Sequence, residues 1–152
     1  MAIKDMSQTR LRAWAATFFW SVSGVWFFAA FFSGGGAEEF DTDSGRHLIS
    51  AAGILFGFVG YWATLWLTRR RGDEVVVDER DLQVSARASQ GTLVAVLMIM
   101  FLLCTLLWMT HEADGVLAVG WMWFLAYGSM VLGLVINSVA FLILDGSMGG
   151  RG

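Results

Sequence analysis

Four long stretches of this chain carry no charged residue, and no other sequence feature limits its folding so strongly. They cover 13–32, 48–67, 92–109 and 116–144. A helix needs ~20 apolar residues to cross ~30 Å of hydrocarbon. The first two stretches hold twenty residues each, the third holds eighteen and can be lengthened by 86–91, and the fourth holds twenty-nine, enough to tilt or to begin in the interface. Lipid offers no hydrogen-bond partner to a bare backbone, so such stretches must be helices. The chain has no proline, which suits uninterrupted helices. These observations predict an all-α membrane protein: a four-transmembrane-helix bundle with spans at 13–32, 48–67, 89–109 and 118–144, a cytoplasmic loop at 68–88, and a single domain over 1–152.

Orientation follows from where the few charges fall. Charged residues make up 15% of the chain, against about 25% in soluble domains. Nine of the ten basic residues lie on one side of the predicted layout: Lys4, Arg10, Arg12, Arg69, Arg70, Arg71, Arg80, Arg87 and Arg151. Only Arg46 lies on the other. The positive-inside rule makes the basic side cytoplasmic, with both termini inside. The basic residues ahead of 13–32 resemble a signal-peptide n-region, but the apolar core is too long and "FFSGGGA" is a poor cleavage site, so the first span reads as a retained anchor. Trp14, Trp62 and Trp66 fall near the inner boundary and Trp108, Trp121 and Trp123 near the outer one, as an aromatic belt requires.

The one long polar run in the middle of the chain is "DEVVVDERDLQVSARASQ", 73–90. Asp78 suits a helix N-cap, because its carboxylate can accept the N–H groups that a first turn leaves unpaired. Glu79 and Asp81 then put negative charge where the helix dipole favours it. Nothing from Glu79 to Met109 breaks a helix, so the third helix is expected to begin in the cytoplasm and run into its span, with a length of roughly 45 Å. Leu82, Ala86 and Ser89 would share one face, and Arg80, Val84 and Arg87 another. "VVV" at 75–77 reads as a short extended segment or an apolar patch on the membrane.

"VDERDLQVSARAS", standing after a basic helix end and before a span, resembles the "DERD" signature of small bacterial four-span inner-membrane proteins of unknown function. The matching positions are Asp78, Glu79, Arg80, Asp81, Arg87, Ala88 and Ser89. The resemblance implies a protein of the bacterial cytoplasmic membrane and supplies no catalytic activity. The residues leave three readings of the motif open. These are a cap with an intrachain ion network, a partner-docking site formed by Asp78, Glu79, Arg80, Asp81 and Arg87, and a metal site on Asp78 and Asp81. The last offers fewer oxygens than a hard cation takes. Exposed ion pairs stabilise little, so a dense charge cluster points toward recognition.

Small residues mark the packing faces. Gly53, Gly57 and Gly60 stripe the second span, Ala13, Thr17, Ser21 and Gly24 the first, and Ser129, Gly133 and Asn137 the fourth. Such stripes let helices approach closely in lipid, which predicts a compact bundle of the first, second and fourth helices with the third most exposed. Asn137 is the one strongly polar side chain deep in a span, and it suits interhelical hydrogen bonding. The absence of ionisable residues in mid-membrane argues against a proton-coupled pump. His47 and His111 both fall at the outer boundary and are weak haem candidates, and no other cofactor and no metal is expected. The lone Cys104 lies in the third span, where it has no partner for a disulfide within the chain. The stretch 33–45 reads as a flexible outer loop, its glycine run lacking the strand and helix of a phosphate site.

No nucleotide, serine-hydrolase or zinc-protease motif is present, so no enzymatic activity is expected. The favoured reading is an accessory or interaction subunit of a larger membrane complex, contacting other membrane-protein subunits or further copies of itself through the DERD loop and the third helix. Lipids are expected neighbours and nucleic acid is not. The alternatives are a small oligomeric transporter or channel using Asn137 and Ser129, and a haem-binding electron carrier.

Overall fold

The computed structural model describes residues 8–70, 79–113 and 115–149. Asp78 and the segment 75–77 lie outside the described residues, as does the side chain of Arg80. The elements are α1 (Gln8–Phe32), α2 (Ala37–Thr42), α3 (Ser44–Arg70), α4 (Glu79–His111) and α5 (Gly120–Gly149), with no strand among the described residues. Four of them, α1, α3, α4 and α5, are long and apolar enough to cross a membrane.

The long helices alternate in direction. Thr9 near the start of α1 bonds Asp81 near the start of α4, and Arg10 lies 3.9 Å from Asp145 near the end of α5. Arg12 bonds Thr68 near the end of α3. One end of the molecule therefore gathers the starts of α1 and α4 and the ends of α3 and α5.

α1 is the central helix. Its buried residues Ala16, Trp20, Ser23, Gly24, Phe27, Ala30 and Phe31 recur at the three- and four-residue spacing of a helical face. α1 packs on α3 and on α5, and α4 packs on the far side of α5. The neighbours thus run α3, α1, α5, α4, which departs from the expected mutual packing of the first, second and fourth spans. The reason lies in α5. Its bulky residues Phe124, Tyr127 and Val131 join the α1 core, whereas its small stripe turns toward α4. Within the most apolar window of each helix, 39% is buried in α1 and only 6% in α4, so α4 is the edge of the molecule.

Aromatic rings fill the α1–α5 contact toward the end that carries α2. Phe27 meets Tyr127 edge-on at 4.6 Å between centroids, and Phe31 lies 4.8 Å from Phe124 and 5.0 Å from Phe40. Each such pair contributes about 0.5–1.5 kcal/mol beyond area burial. That matters in lipid, where packing rather than hydrophobic expulsion holds helices together.

The stretch 33–45 is not the flexible loop that its glycines suggested. Gly35 and Gly36 turn the chain at φ 117° and 97°, conformations that side chains rarely tolerate, and the six-residue α2 follows directly. Glu38 and Glu39 occupy its first turn and favour the positive end of the helix, which also makes that end unsuitable for phosphate. Phe40 is buried in the aromatic core. Asp41 Oδ2 accepts the Gly120 N–H at 3.0 Å and so caps α5 from another element. Arg46 holds Asp43 at 3.2 Å and Glu39 at 3.5 Å.

Asp41→Ala is expected to cost about 1 kcal/mol, the usual value of a lost cap. It should also speed protease cleavage between α1 and α3. Cleavage at the parental rate would show that the cap does not hold α2 down.

Candidate functional site

α4 is 33 residues long, which at 1.5 Å per residue is about 50 Å. Its first turns are fastened to the molecule. Val84 and Ala88 are fully or almost fully buried with Phe141, against Ala13, Ala140 and Leu144. Asp81 accepts a long bond from Thr9 Oγ1 at 3.4 Å. The inward face is therefore Asp81, Val84, Ala88 and Thr92. Val84 and Arg87, three residues apart, lie about 60° apart around the helix, and the edge of the buried face runs between them: Val84 is buried and Arg87 exposed. Glu79, Leu82 and Ala86 are exposed as well.

Beyond this base, α4 and α5 diverge around an open groove of about 490 Å³. Ser89, Thr92 and Val96 line it from α4, and Ser129, Gly133 and Asn137 line it from α5. Ser89 Oγ donates to Asn137 Oδ1 at 3.3 Å. Thr92 and Ser129 return their hydroxyls to their own helices, to the Ala88 and Ala126 carbonyls. A methyl group on Gly133 would meet only Val96, at 3.9 Å, so Gly133 sits at open space rather than at a tight contact. The outer face of α4 past the groove is a continuous apolar surface that includes exposed Leu93, Leu97, Phe101 and Trp108.

The glycines of α3 behave differently. Gly53 faces Trp26, Gly57 faces Ser23 and Trp20, and Gly60 faces Phe19, all on α1. Their stripe is the seam between α1 and α3.

The histidines have separate surroundings. The His47 ring meets Phe40 edge-on at 4.7 Å. His111 Nδ1 lies 3.0 Å from the Leu107 carbonyl, and its ring is 6.4 Å from Trp121. Among the described residues, no cluster of three His, Cys, Asp or Glu side chains is placed to hold a metal. Cys104 is exposed.

Two polar arrangements had no motif to announce them. Ser23 Oγ, fully buried on α1, donates to the Gly53 carbonyl at 2.8 Å and also bonds the Tyr127 hydroxyl, joining α1, α3 and α5 at one point. The Asp41 cap on α5 is the other. Ser23 is next to Gly24 but outside the stripe of Ala13, Thr17, Ser21 and Gly24, and Asp41 lies 79 positions from its partner.

Residues 24–146 match the family described as a predicted membrane protein, DUF2178. The chain belongs to the DUF2178 family. Family membership and four long apolar helices make it a multi-pass membrane protein. The DUF2178 match begins within α1 and ends within α5, so it contains α4, the groove and the three seam glycines of α3. No curated protein and no solved structure matches the chain.

Proposed function

We propose that this DUF2178 protein is a non-enzymatic accessory or interaction subunit of a larger membrane complex, binding its partner through the DERD region and α4. The observation that carries the reading is the state of α4: its base is anchored through Val84 and Ala88, while most of its length is exposed at the edge of the molecule. A helix fixed at one end and bare along its flank suits lateral contact with a transmembrane helix of another subunit or of a second copy. Asn137 supports this. In lipid its amide seeks hydrogen bonds, and among the described residues only its Oδ1 has a partner, Ser89. Glu79 and Arg87, exposed on the first turns of α4, offer charge of both signs to the partner's polar flank.

The setting we propose is the bacterial cytoplasmic membrane with both termini inside, since Arg10, Arg12 and Arg87 lie at one end of the molecule and Arg46 at the other. No prosthetic group is involved in this reading, and a Soret band in the purified protein would overturn that part of it.

The test is purification in mild detergent with mass spectrometry of the intact complex. A stoichiometric membrane-protein companion is expected with the parent protein and is expected to be lost from the Glu79→Lys/Arg87→Glu variant. A companion that stays bound to that variant sinks the assignment to α4.

A second reading has one observation in its favour: Ser89, Thr92, Ser129 and Asn137 share the same groove. In an oligomer, a neighbouring copy closing that groove would make it a path for a small polar solute. Undiminished flux through Asn137→Leu in proteoliposomes would dismiss this alternative.

A further inference from the structure

A cavity of about 420 Å³ lies between α1 and α3, lined by Arg12, Trp62, Leu65 and Trp66. Its position along the helices is defined by the sequence. Arg12 immediately precedes the uncharged run 13–32, and Thr68 immediately follows the uncharged run 48–67. The cavity therefore straddles the level where hydrocarbon gives way to headgroups. Arg12 Nε donates to Thr68 Oγ1 at 3.1 Å, and Thr68 is itself buried. That bond fixes the plane of the guanidinium and leaves the four N–H groups of its two terminal nitrogens for another acceptor.

No carboxylate of a described residue supplies that acceptor. Among the described residues the ion pairs are Arg10 with Asp145, and Arg46 with Glu39 and Asp43. Arg12 is half-buried and has no counter-ion among the described residues, in a cavity whose other walls are two indoles and a leucine. A planar fork of N–H groups suits the oxygens of a phosphate, which it binds through paired hydrogen bonds. Indole rings favour the interfacial level of a bilayer.

We propose that this cavity binds one anionic phospholipid, with its phosphodiester on Arg12 and its glycerol and first methylenes over Trp62 and Trp66. The charge selects an anionic headgroup, and the apolar walls select a lipid over a free anion. The site is separate from the α4 surface and does not depend on the function proposed for it.

The test uses the full-length protein in mild detergent with equal amounts of a phosphatidylglycerol and a phosphatidylcholine, and native mass spectrometry counts the retained lipid. One phosphatidylglycerol is expected in preference to phosphatidylcholine. Arg12→Gln is expected to lower its retention about fivefold, the effect of one basic residue on anionic-lipid binding. Arg46→Gln, which removes the same charge at the opposite end, should leave retention unchanged. Equal retention of the two lipids, or undiminished phosphatidylglycerol on Arg12→Gln, overturns the proposal. Should Arg12→Gln fail to fold, Trp62→Leu at its exposed position decides: lowered retention supports the site and parental retention overturns it. Displacement of the lipid by millimolar inorganic phosphate would assign the cavity to a free anion and overturn the lipid reading.

Discussion

Replacing Gly57 with leucine unseats α3 from α1 and costs about 3 kcal/mol, the upper part of the usual range for overpacking. A Cβ on residue 57 would stand 2.8 Å from Ser23 Oγ and 2.9 Å from Ser23 Cβ, closer than packed atoms come. Ser23 has nowhere to retreat, because its hydroxyl is bound to the Gly53 carbonyl one turn away on the same helix. The flanking glycines meet Trp26 and Phe19, so α3 cannot slide along the seam to escape. Gly91 on α4 supplies the control, since a Cβ there meets nothing within 4 Å. Titration of the two variants with a denaturing detergent, followed by helicity and tryptophan fluorescence, should show an early transition for Gly57→Leu. Gly91→Leu should unfold at or slightly above the parental midpoint, because leucine is the better helix former. Equal midpoints would mean that the α1–α3 seam is not a native contact.

The parts of this architecture that can be read from the sequence are those written in local periodicity. The uncharged runs and the absence of proline predict long helices, and the glycine spacing on α3 predicts a close seam. Which helix meets which is a different kind of information. The stripe of Ser129, Gly133 and Asn137 looks like a packing face as convincingly as Gly53, Gly57 and Gly60 do, yet it lines an open groove. The difference is made by Phe124 and Tyr127 on another face of α5, whose rings find their complement in Phe27 and Phe31. Small residues permit approach, and bulky neighbours decide which face is used. The stretch 33–45 misleads for a related reason. Its glycines read as looseness, but two of them supply the positive-φ turn that delivers α2 onto the start of α5. Long-range partners such as Arg12 with Thr68, or Asp41 with Gly120, leave no periodic trace at all. At the candidate site the exposed charges of Glu79 and Arg87 are visible in the sequence, whereas the burial of Val84 that divides them from the core face depends on Phe141.

The point where three helices meet should respond asymmetrically to the loss of its two hydroxyls. Ser23 has a single proton and gives it to the Gly53 carbonyl, so in the bond between Ser23 and Tyr127 the phenol is the donor. Tyr127→Phe removes that donor and leaves Ser23 still bound to Gly53, at a cost of about 0.6 kcal/mol, the average for an interhelical bond in a membrane protein. Ser23→Ala does something worse. It strips the acceptor from a phenol packed among Phe27 and Phe124, and it frees the Gly53 carbonyl from its side-chain partner. Leaving a buried donor unpaired costs about 1–3 kcal/mol, so Ser23→Ala is expected near 2 kcal/mol. The double variant should then cost no more than Ser23→Ala alone, because removing the phenol also removes the unpaired donor that made the serine loss expensive. Denaturing-detergent titrations of the four proteins measure this directly. Additive losses would show that the two hydroxyls act independently, and a larger cost for Tyr127→Phe than for Ser23→Ala would reverse the assignment of donor and acceptor.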